Sequence, residues 1–281
     1  SLTRHKLNSG AEVVLAENTY DELGRLKQKT RNNKKELKGS YTYNVRSWLS
    51  TIREWHYHQD LTYAHNGNIN TMSWVTGGKT RKYAYSYDNL SRLTKADYTG
   101  IGNEKYNTVY TYDKHGNITT LERWGKKDAG TASSSYDKVD MLTMTYAGNQ
   151  LTRVTDGGAN VLIAESSDFK DHTTNNGVNH YNKNGSLRAD SHKGITKIQY
   201  NSLNLPQAIE IANPQARGHI AYTYSAAGTK LRAVHQTDAN LLAAPMQGIA
   251  SVSAAAIQTE TTDYVGNQGY ENGELKRKLI E

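Results

Sequence analysis

The stretch "YDELGRL" at residues 20–26 returns as "YDNLSRL" at residues 87–93, and the fold follows from this recurrence. In both stretches a tyrosine precedes an Asp, a small residue lies three positions after the Asp, and a basic residue leads back to Leu. An Asp side chain can bond its own backbone and start a turn, and Gly tolerates the positive φ that tight turns need. Each stretch is therefore typical of a turn between two strands.

The same pattern recurs along most of the chain. Aligned on the tyrosine, ten units begin at Tyr20, Tyr43, Tyr63, Tyr87, Tyr112, Tyr146, Tyr181, Tyr200, Tyr224 and Tyr270. The first five are separated by 23, 20, 24 and 25 residues, and longer insertions lie on either side of Tyr146. A fixed period of this size indicates a repeated building unit rather than a site used twice.

Each unit reads as strand, tight turn and strand. Upstream of several turns the tyrosines alternate, as in "YAYSY" at 83–87, which places them on one face of a strand. Asn-Gly at 66–67, 184–185 and 272–273 is a strong hairpin signal. Gly is predicted to take positive φ at Gly24, Gly67, Gly116, Gly185, Gly228 and Gly273. Two strands of about eight residues and two connections of about three account for the period.

The composition favours a thin sheet over a thick globular core. Only 36% of the residues are hydrophobic and the mean hydropathy is −0.79, yet the chain has 20 Tyr and 4 Trp against one Phe. Tyr buries its ring while its hydroxyl stays wet, which suits sheet faces that are only partly dry. Helix is disfavoured, because Gly or Asn interrupts the candidate segments. We therefore predict an all-β fold of tandem antiparallel β-hairpin repeats that forms a curved, spiralling ribbon-like sheet.

Three stretches are predicted along the chain. Residues 1–237 carry the tandem hairpin repeats, and residues 261–281 carry a final hairpin. Between them, residues 238–260 are rich in Ala and contain Pro245 and Gly248, so we interpret them as an irregular connection.

The repeat grammar resembles the tyrosine-aspartate repeats of Rhs proteins, also called YD-repeat proteins. The stretches that carry the resemblance are "YDELGRL" at 20–26 and "YDKHGNI" at 112–118, and it extends over roughly residues 15–280. Residues 262–280, "TDYVGNQGYENGELKRKLI", are similar to the stretch that in Bacteroidetes members leads toward the Rhs-associated core. The resemblance implies a fragment of a spiral shell that in the intact protein encloses or presents a C-terminal toxin or effector domain.

The chain also departs from the family pattern. The Asp is replaced by Ala64, Ala147 and Ser225 in three of the units. The family's core ends in a segment with Asp-Pro that is associated with self-cleavage, and this dipeptide does not occur here. We interpret the chain as a piece of shell without cleavage apparatus or cargo. Sheet edges tend to pair, so an edge-to-edge homodimer is expected.

Charge and targeting signals restrict the partners. The net charge is +7, and the one dense basic run, residues 25–38, is interpreted as a solvated loop or strand face. No nucleic-acid recognition motif can be placed, so we expect no nucleic-acid binding. The first ten residues carry no signal-peptide pattern and no apolar stretch suits a membrane span. For the intact protein we expect a secreted or cell-surface location.

Few residues suggest chemistry. His56 and His58 could lie on one side of a strand, and His172, His180 and His192 could converge, but the chain has no Cys and no His-Glu-x-x-His motif. "DGGAN" at 156–160 lacks a phosphate-binding pattern and is interpreted as a turn. We therefore predict no catalytic, cofactor-binding or metal-ligating residues, no cofactor, and no enzymatic activity.

Three functions stay open at this point. The leading hypothesis is a section of an encapsulating wall, whose partners are further Rhs repeats and the core of the same polypeptide and the enclosed toxin domain. The second is a carbohydrate-binding or adhesion module in which aromatic rows, including Trp48, Trp55, Trp74 and Trp124, bind glycans. The third is an enzyme with a dispersed glycan-cleaving or metal site.

Overall fold

The computed structural model describes residues 1–6, 10–130, 132–159, 161, 168–169, 171, 173, 176–213, 216–238 and 257–278. Within these ranges the chain consists of β-strands, turns and irregular connections, with one 3-10 turn at Ser133–Ser135. The predicted all-β fold class is confirmed. Among the described residues, no helix has the length and apolar character needed to cross a membrane.

Thirteen strands form the first sheet, and each lies beside the next one in the chain. They are β1 (Leu2–His5), β2 (Val13–Tyr20), β3 (Leu26–Arg31), β4 (Lys34–Tyr43), β5 (Leu49–Arg53), β6 (Tyr57–Tyr63), β7 (Ile69–Thr76), β8 (Lys79–Tyr87), β9 (Leu93–Thr99), β10 (Thr108–Tyr112), β11 (Ile118–Lys126), β12 (Tyr136–Ala147) and β13 (Gln150–Asp156).

Nine strands form the second sheet, again in chain order. They are β14 (Asn179–Tyr181), β15 (Leu187–Asp190), β16 (Ile195–Tyr200), β17 (Pro206–Asn213), β18 (Ala216–Tyr224), β19 (Lys230–Asp238), β20 (Ile257–Val265), β21 (Gln268–Glu271) and β22 (Glu274–Lys278). Successive strands pair antiparallel, as the sequence predicted, for example β6 with β7 and β18 with β19.

The chain divides into two compact units. The first is Ser1–Met141 with Gly157–Asp168, and the second is Leu142–Asp156 with Phe169–Glu281. The division falls inside the stretch 1–237 that the sequence presented as one array of repeats.

Two kinds of turn connect the strands. Eight of the turns that follow a repeat tyrosine span four residues, and the Asn-Gly pairs at 66–67 and 184–185 lie inside such turns. Two-residue turns, which the Asn-Gly signal by itself favours, occur at 32–33, 77–78, 148–149, 266–267 and 272–273. Of the three Asn-Gly pairs, Asn272-Gly273 therefore forms the expected short hairpin.

The two faces of the first sheet differ in chemistry. At the end of β4, Tyr43 lies opposite Leu49, while the preceding Thr42 lies opposite Thr51 and their hydroxyls are 2.7 Å apart. The Thr62 and Thr71 hydroxyls, also 2.7 Å apart, repeat the second arrangement between β6 and β7. Because side chains alternate along a strand, tyrosines and aliphatic residues share one face and hydroxyl residues the other.

Few apolar side chains are fully buried. Among the described residues these are Ala96, Val139, Leu142, Val154 and Ala233. Most tyrosines are half-buried instead. This agrees with the low hydrophobic content, since such a chain cannot fill a thick core.

The predicted connection at 238–260 is partly strand. Asp238 ends β19 and residues 257–260 begin β20, while residues 239–256 lie outside the described residues. Residues 261–278 contain most of β20 and then β21 and β22, so this segment holds more than one hairpin.

Candidate functional site

A four-residue turn recurs along the part of the chain that the structure describes. Its first residue donates its backbone N–H to the carbonyl of the residue four positions later, and the fourth residue donates to the carbonyl of the first. Eight turns in the described ranges share this pattern, beginning at Asp21, Asn44, Ala64, Asp88, Asp113, Asn182, Asn201 and Ser225. The units at Tyr146 and Tyr270 have two-residue turns instead.

The fourth turn residue always has positive φ. Gly takes this position in five turns, but Ser47, Ser91 and Asn204 take it with φ of 61°, 60° and 57°. Gly24, Gly67, Gly116, Gly185 and Gly228 have the predicted positive φ, as does Gly273 in its two-residue turn. The left-handed region disfavours other residues by steric contact with Cβ, so the three exceptions are held there by the turn.

An acidic or amide side chain stabilises the turn from inside. Oδ1 of Asp88 accepts the backbone N–H groups of Leu90 and Arg92, both at 2.9 Å. The first turn residues Asp21, Asn44, Asp113, Asn182 and Asn201 repeat this pair of bonds. The backbone N–H of Arg92, followed by its guanidinium, lowers the pKa of Asp88. Capping thus explains the carboxylates that sequence analysis assigned to turns.

The turn survives where the Asp is lost. Ala64 keeps both backbone bonds, at 2.8 and 3.1 Å, and the side chain of Asn66 accepts the N–H of Asn68 instead. Ser225 accepts the N–H of Thr229 through its hydroxyl at 3.1 Å. The degenerate units at Ala64 and Ser225 are therefore built like the others, whereas the unit at Ala147 has a two-residue turn.

Seven turns are tied to the next repeat through a tyrosine hydroxyl. The tyrosine that ends a strand donates to the carbonyl of the first residue, or in β13 the second residue, of the strand after the preceding turn. We name these contacts the tyrosine ladder: Tyr43 to Leu26, Tyr63 to Leu49, Tyr87 to Ile69, Tyr112 to Leu93, Tyr181 to Leu151, Tyr200 to Leu187 and Tyr224 to Pro206. Their lengths lie between 2.6 and 3.0 Å.

The basic residue of the motif completes the contact. Arg25 binds Asp21 at 2.6 Å and its guanidinium lies 4.8 Å from the centre of the Tyr43 ring. Arg92 repeats this with Asp88 and with Tyr112, at 2.6 and 4.6 Å. A guanidinium over an aromatic ring is attracted by the ring quadrupole, so one Arg links the carboxylate to the next tyrosine.

Side chains also join successive turns at the ends of the hairpins of the first sheet, from the β2–β3 turn to the β10–β11 turn. Arg25 donates to Ser47 at 3.1 Å, Arg46 donates to the carbonyl of His65, and Arg92 donates to the carbonyl of Asp113 at 3.0 Å. Asn66 and Ser91 join the third turn to the fourth at 3.2 Å. Hydrogen bonds therefore connect the first five turns in sequence.

A second feature, missed by sequence analysis, is an aromatic cluster on the tyrosine face of the first compact unit, Ser1–Met141 with Gly157–Asp168. Tyr83 stacks on Trp74 with ring centres 5.8 Å apart, and Tyr98 lies 5.1 Å from Tyr83. Tyr106 makes an edge contact with Tyr98 at 5.2 Å and lies close to Tyr136. Tyrosines far apart in sequence thus form one packed surface.

The Glu104 carboxylate, in the loop between β9 and β10, binds side chains beside this aromatic cluster. It accepts the Tyr98 hydroxyl at 2.6 Å and two bonds from the Arg81 guanidinium at 3.2 Å. The Arg81 bonds, followed by the Tyr98 bond, lower the pKa of Glu104 to about 2. Burial raises the pKa of Tyr106 to about 12, and burial with the Glu104 contact raises that of Tyr98. The Glu104 carboxylate and the Arg81 guanidinium thus form a structural ion pair, and the contact between Glu104 and Tyr98 is not an acid-base pair at neutral pH.

The four tryptophans differ in exposure. The centre of the Trp48 ring lies 5.1 Å from the Arg46 guanidinium and 5.2 Å from the centre of the Tyr63 ring. Trp74 stacks in the aromatic cluster, and Trp124 is covered by the Lys138 ammonium at 4.9 Å. Trp55, in the turn between β5 and β6, is 68% exposed. Of the four rings proposed for glycans, Trp55 is exposed and the other three are half-buried.

The histidine pairs are not arranged as metal sites. His56 precedes β6 and His58 lies inside it, and both are exposed. His180 is exposed in β14, His192 is buried, and His172 lies outside the described residues. Among the described residues, none of these histidines belongs to a group of three potential ligands within metal-binding distance.

His192 is instead part of a buried hydrogen-bond network in the second unit. It is 2% exposed, its Nε2 accepts the N–H of Val154 at 3.2 Å, and its Nδ1 lies 3.0 Å from Oδ1 of Asp171. Because Nε2 is an acceptor, Nδ1 carries the proton and donates to Asp171. An Asp-His pair can serve as a general base, but here the ring nitrogen that would accept a proton is occupied by a backbone amide.

The "DGGAN" segment is not a turn. Gly157 and Ala159 donate backbone N–H groups to the carbonyls of Met141 and Lys138, so residues 157–159 run along β12, while Asn160 lies outside the described residues. A Cβ on Gly158 would lie 2.5 Å from the Val139 carbonyl oxygen. Close backbone approach, rather than phosphate binding, explains this Gly.

With this geometry in view, the chain can be compared with known proteins. No protein-family model matches it. The tRNA3(Ser)-specific nuclease WapA of Bacillus spizizenii is 28% identical over 182 residues, which cover 55% of this chain and 8% of that protein. The Photorhabdus luminescens Tc holotoxin pore with a mutated TccC3 matches with a TM-score of 0.56 and 15% identity, over 96% of this chain and 14% of that one.

The structural match shows a shared fold, and the chain spans only a small part of both proteins. Neither comparison is with a Bacteroidetes protein, so the predicted subtype receives no support from them. At the coarser level, the repeat motifs, the fold shared with the Tc holotoxin chain and the partial similarity to the WapA nuclease support an Rhs-like chain.

Proposed function

We propose that the chain is a section of an Rhs-type shell wall, which in the intact protein encloses or presents a toxin or effector domain. The observation that carries this proposal is the tyrosine ladder. It joins successive repeats at seven places, so that an extended sheet keeps its register without a thick core. Such a structure can be extended by further repeats and by the core of the same polypeptide, which are the partners we propose.

The similarity to parts of a Tc holotoxin chain and of the WapA nuclease supports this proposal, because both proteins are much longer than this chain and can hold further domains. Placement in the Bacteroidetes type rests on residues 262–280 and is part of the proposal, as is a secreted or cell-surface location. We propose no catalytic role, in line with the occupied Nε2 of His192.

Protease protection tests the wall function. The intact parent polypeptide should shield its C-terminal domain from a broad-specificity protease under native conditions. A variant with three ladder hydroxyls removed, at Tyr43, Tyr87 and Tyr112, should expose that domain sooner. Equal digestion rates of the C-terminal domain alone and within the parent would refute enclosure.

Edge pairing is a separate part of the proposal. The outermost strands are β1 and β13 in the first sheet and β14 and β22 in the second, and unpaired strand edges accept a further strand. Light scattering over a range of concentrations should show a homodimer of the isolated chain. A mass of one chain at all concentrations would contradict it.

Carbohydrate binding is the second candidate, and it rests on Trp55. Its exposed ring could stack on the apolar face of a sugar. A glycan array should then lose signal on Trp55→Ala and keep it on Trp48→Ala, whose ring is half-buried and contacts Arg46 and Tyr63. Equal signals from both variants and the unmodified chain would remove this candidate.

A further inference from the structure

A groove of about 580 Å³ in the second compact unit is lined by basic side chains and by no acidic side chain. It lies across β14, β15 and β16, and its lining includes His180, Arg188, Thr196 and Lys197 but no carboxylate residue. Strands in a sheet lie about 4.8 Å apart, so the three basic side chains lie on neighbouring strands within reach of one small ligand.

The surrounding segment is basic as well. Residues 179–200 contain four Lys or Arg residues and one acidic residue, Asp190. Asp190 is buried, and it accepts the backbone N–H of Lys193. Its charge is therefore directed away from solvent, while the basic side chains of the groove are exposed.

Arg188 differs from the arginines of the repeat turns. Arg25, Arg81 and Arg92 each hold a carboxylate at 2.6 to 3.2 Å. In the part of the chain that the structure describes, neither Arg188 nor His180 has an ion-pair partner. Lys197 has Glu210 at 3.4 Å, and both side chains are about half exposed, so a bound anion can compete for the ammonium.

We propose that this groove binds an oxoanion, with the Arg188 guanidinium as its central contact. A guanidinium presents parallel N–H donors that match two oxygens of a sulfate or phosphate group. Lys197 and His180 flank it on the adjacent strands. The Thr196 hydroxyl donates to the carbonyl of Glu210 at 3.3 Å, so the basic side chains supply the contacts to the anion. The row ends at Glu210, so it suits one oxoanion group rather than a long polyanion.

The site is independent of the wall function, and the full chain can test it. Titration with inorganic sulfate and inorganic phosphate at constant ionic strength, followed by calorimetry or NMR, should show saturable binding. Arg188→Gln should weaken it about tenfold or more, because charge-assisted bonds contribute about 1.5–3 kcal/mol. Arg217→Gln, an exposed arginine on β18, is the matched control and should change nothing.

Further ligands identify the source of the oxoanion. Tighter binding of a sulfated oligosaccharide than of a phosphate monoester indicates a glycan sulfate, and the reverse indicates a phosphate group. Lys197→Gln should weaken both. Binding that is equally weak in the Arg188 and Arg217 variants, or that follows ionic strength alone, would overturn the proposal, as would preference for an oligonucleotide.

Discussion

The hydroxyl of Tyr43 donates to the carbonyl oxygen of Leu26 at 3.0 Å, while the ring of Tyr43 supports the guanidinium of Arg25. One side chain thus satisfies the backbone of the previous hairpin and holds the basic residue of its turn. Six further tyrosines make the same hydroxyl contact, so the relationship is a property of the repeat.

Removing one ladder hydroxyl should cost about 1 kcal/mol of unfolding free energy. Tyr43→Phe keeps the ring and its contact with Arg25 but leaves the Leu26 carbonyl without this donor. Urea unfolding measures the change. Tyr20→Phe is the control, because Tyr20 is 47% exposed and makes no ladder contact; a loss of equal size there would show that the ladder is not responsible.

For stability, the side-chain oxygen of Asp88 that accepts the turn's N–H groups should matter more than the negative charge of that side chain. Asp88→Asn keeps an oxygen for the N–H groups of Leu90 and Arg92, as Asn44 does in its own turn. Asp88→Ala removes both bonds. We expect the Ala variant to unfold at clearly lower urea concentration than the Asn variant, and the opposite order would contradict the capping role.

Two glycines with similar φ should respond differently to Ala. Gly116 has φ of 91° and open space at its Cβ position, so Gly116→Ala should cost about 1–2 kcal/mol from backbone strain alone. Gly67 has φ of 97°, and its Cβ would lie 3.1 Å from the Trp48 ring. Gly67→Ala should therefore be the more destabilising in thermal unfolding; equal losses would mean that the Trp48 ring yields without cost.

Stability should fall with acid through Glu104. Its pKa is about 2 in the folded chain and about 4.3 when unfolded, so its contribution is complete above the unfolded value and is lost as pH falls toward 2. Glu104→Gln should be less stable than the unmodified chain at pH 7, and the gap should narrow between about pH 5 and pH 2. Urea midpoints across this range measure it, and a constant gap would exclude the carboxylate as the cause.

Loss of the His192 side chain should be costly. His192→Ala removes the acceptor of the buried Val154 N–H and a partner of Asp171, which predicts a loss of about 2–4 kcal/mol. His180→Ala, at an exposed position of the same sheet, should have little effect on unfolding. Similar losses for both would argue against the buried network.

Sequence reasoning reached the hairpin repeat because its signals are local. Tyr alternation, the turn acceptor and positive φ at Gly24 or Gly116 each depend on a few adjacent residues. It predicted a hairpin at Asn66-Gly67, and β6 and β7 form one, but it did not give the length of the turn, because only strand register separates the two turn types. It missed Glu104, the role of His192 and the basic groove, whose contacts join residues distant along the chain.

The amino-acid order by itself therefore determined that this chain forms antiparallel hairpins with tyrosines on one face, because backbone preferences and side-chain alternation act over short distances. The tertiary structure decided which carbonyl each tyrosine hydroxyl reaches, 13 to 30 residues away, and which histidine is buried. These outcomes depend on the register shift at each turn, and register is set when neighbouring strands pair.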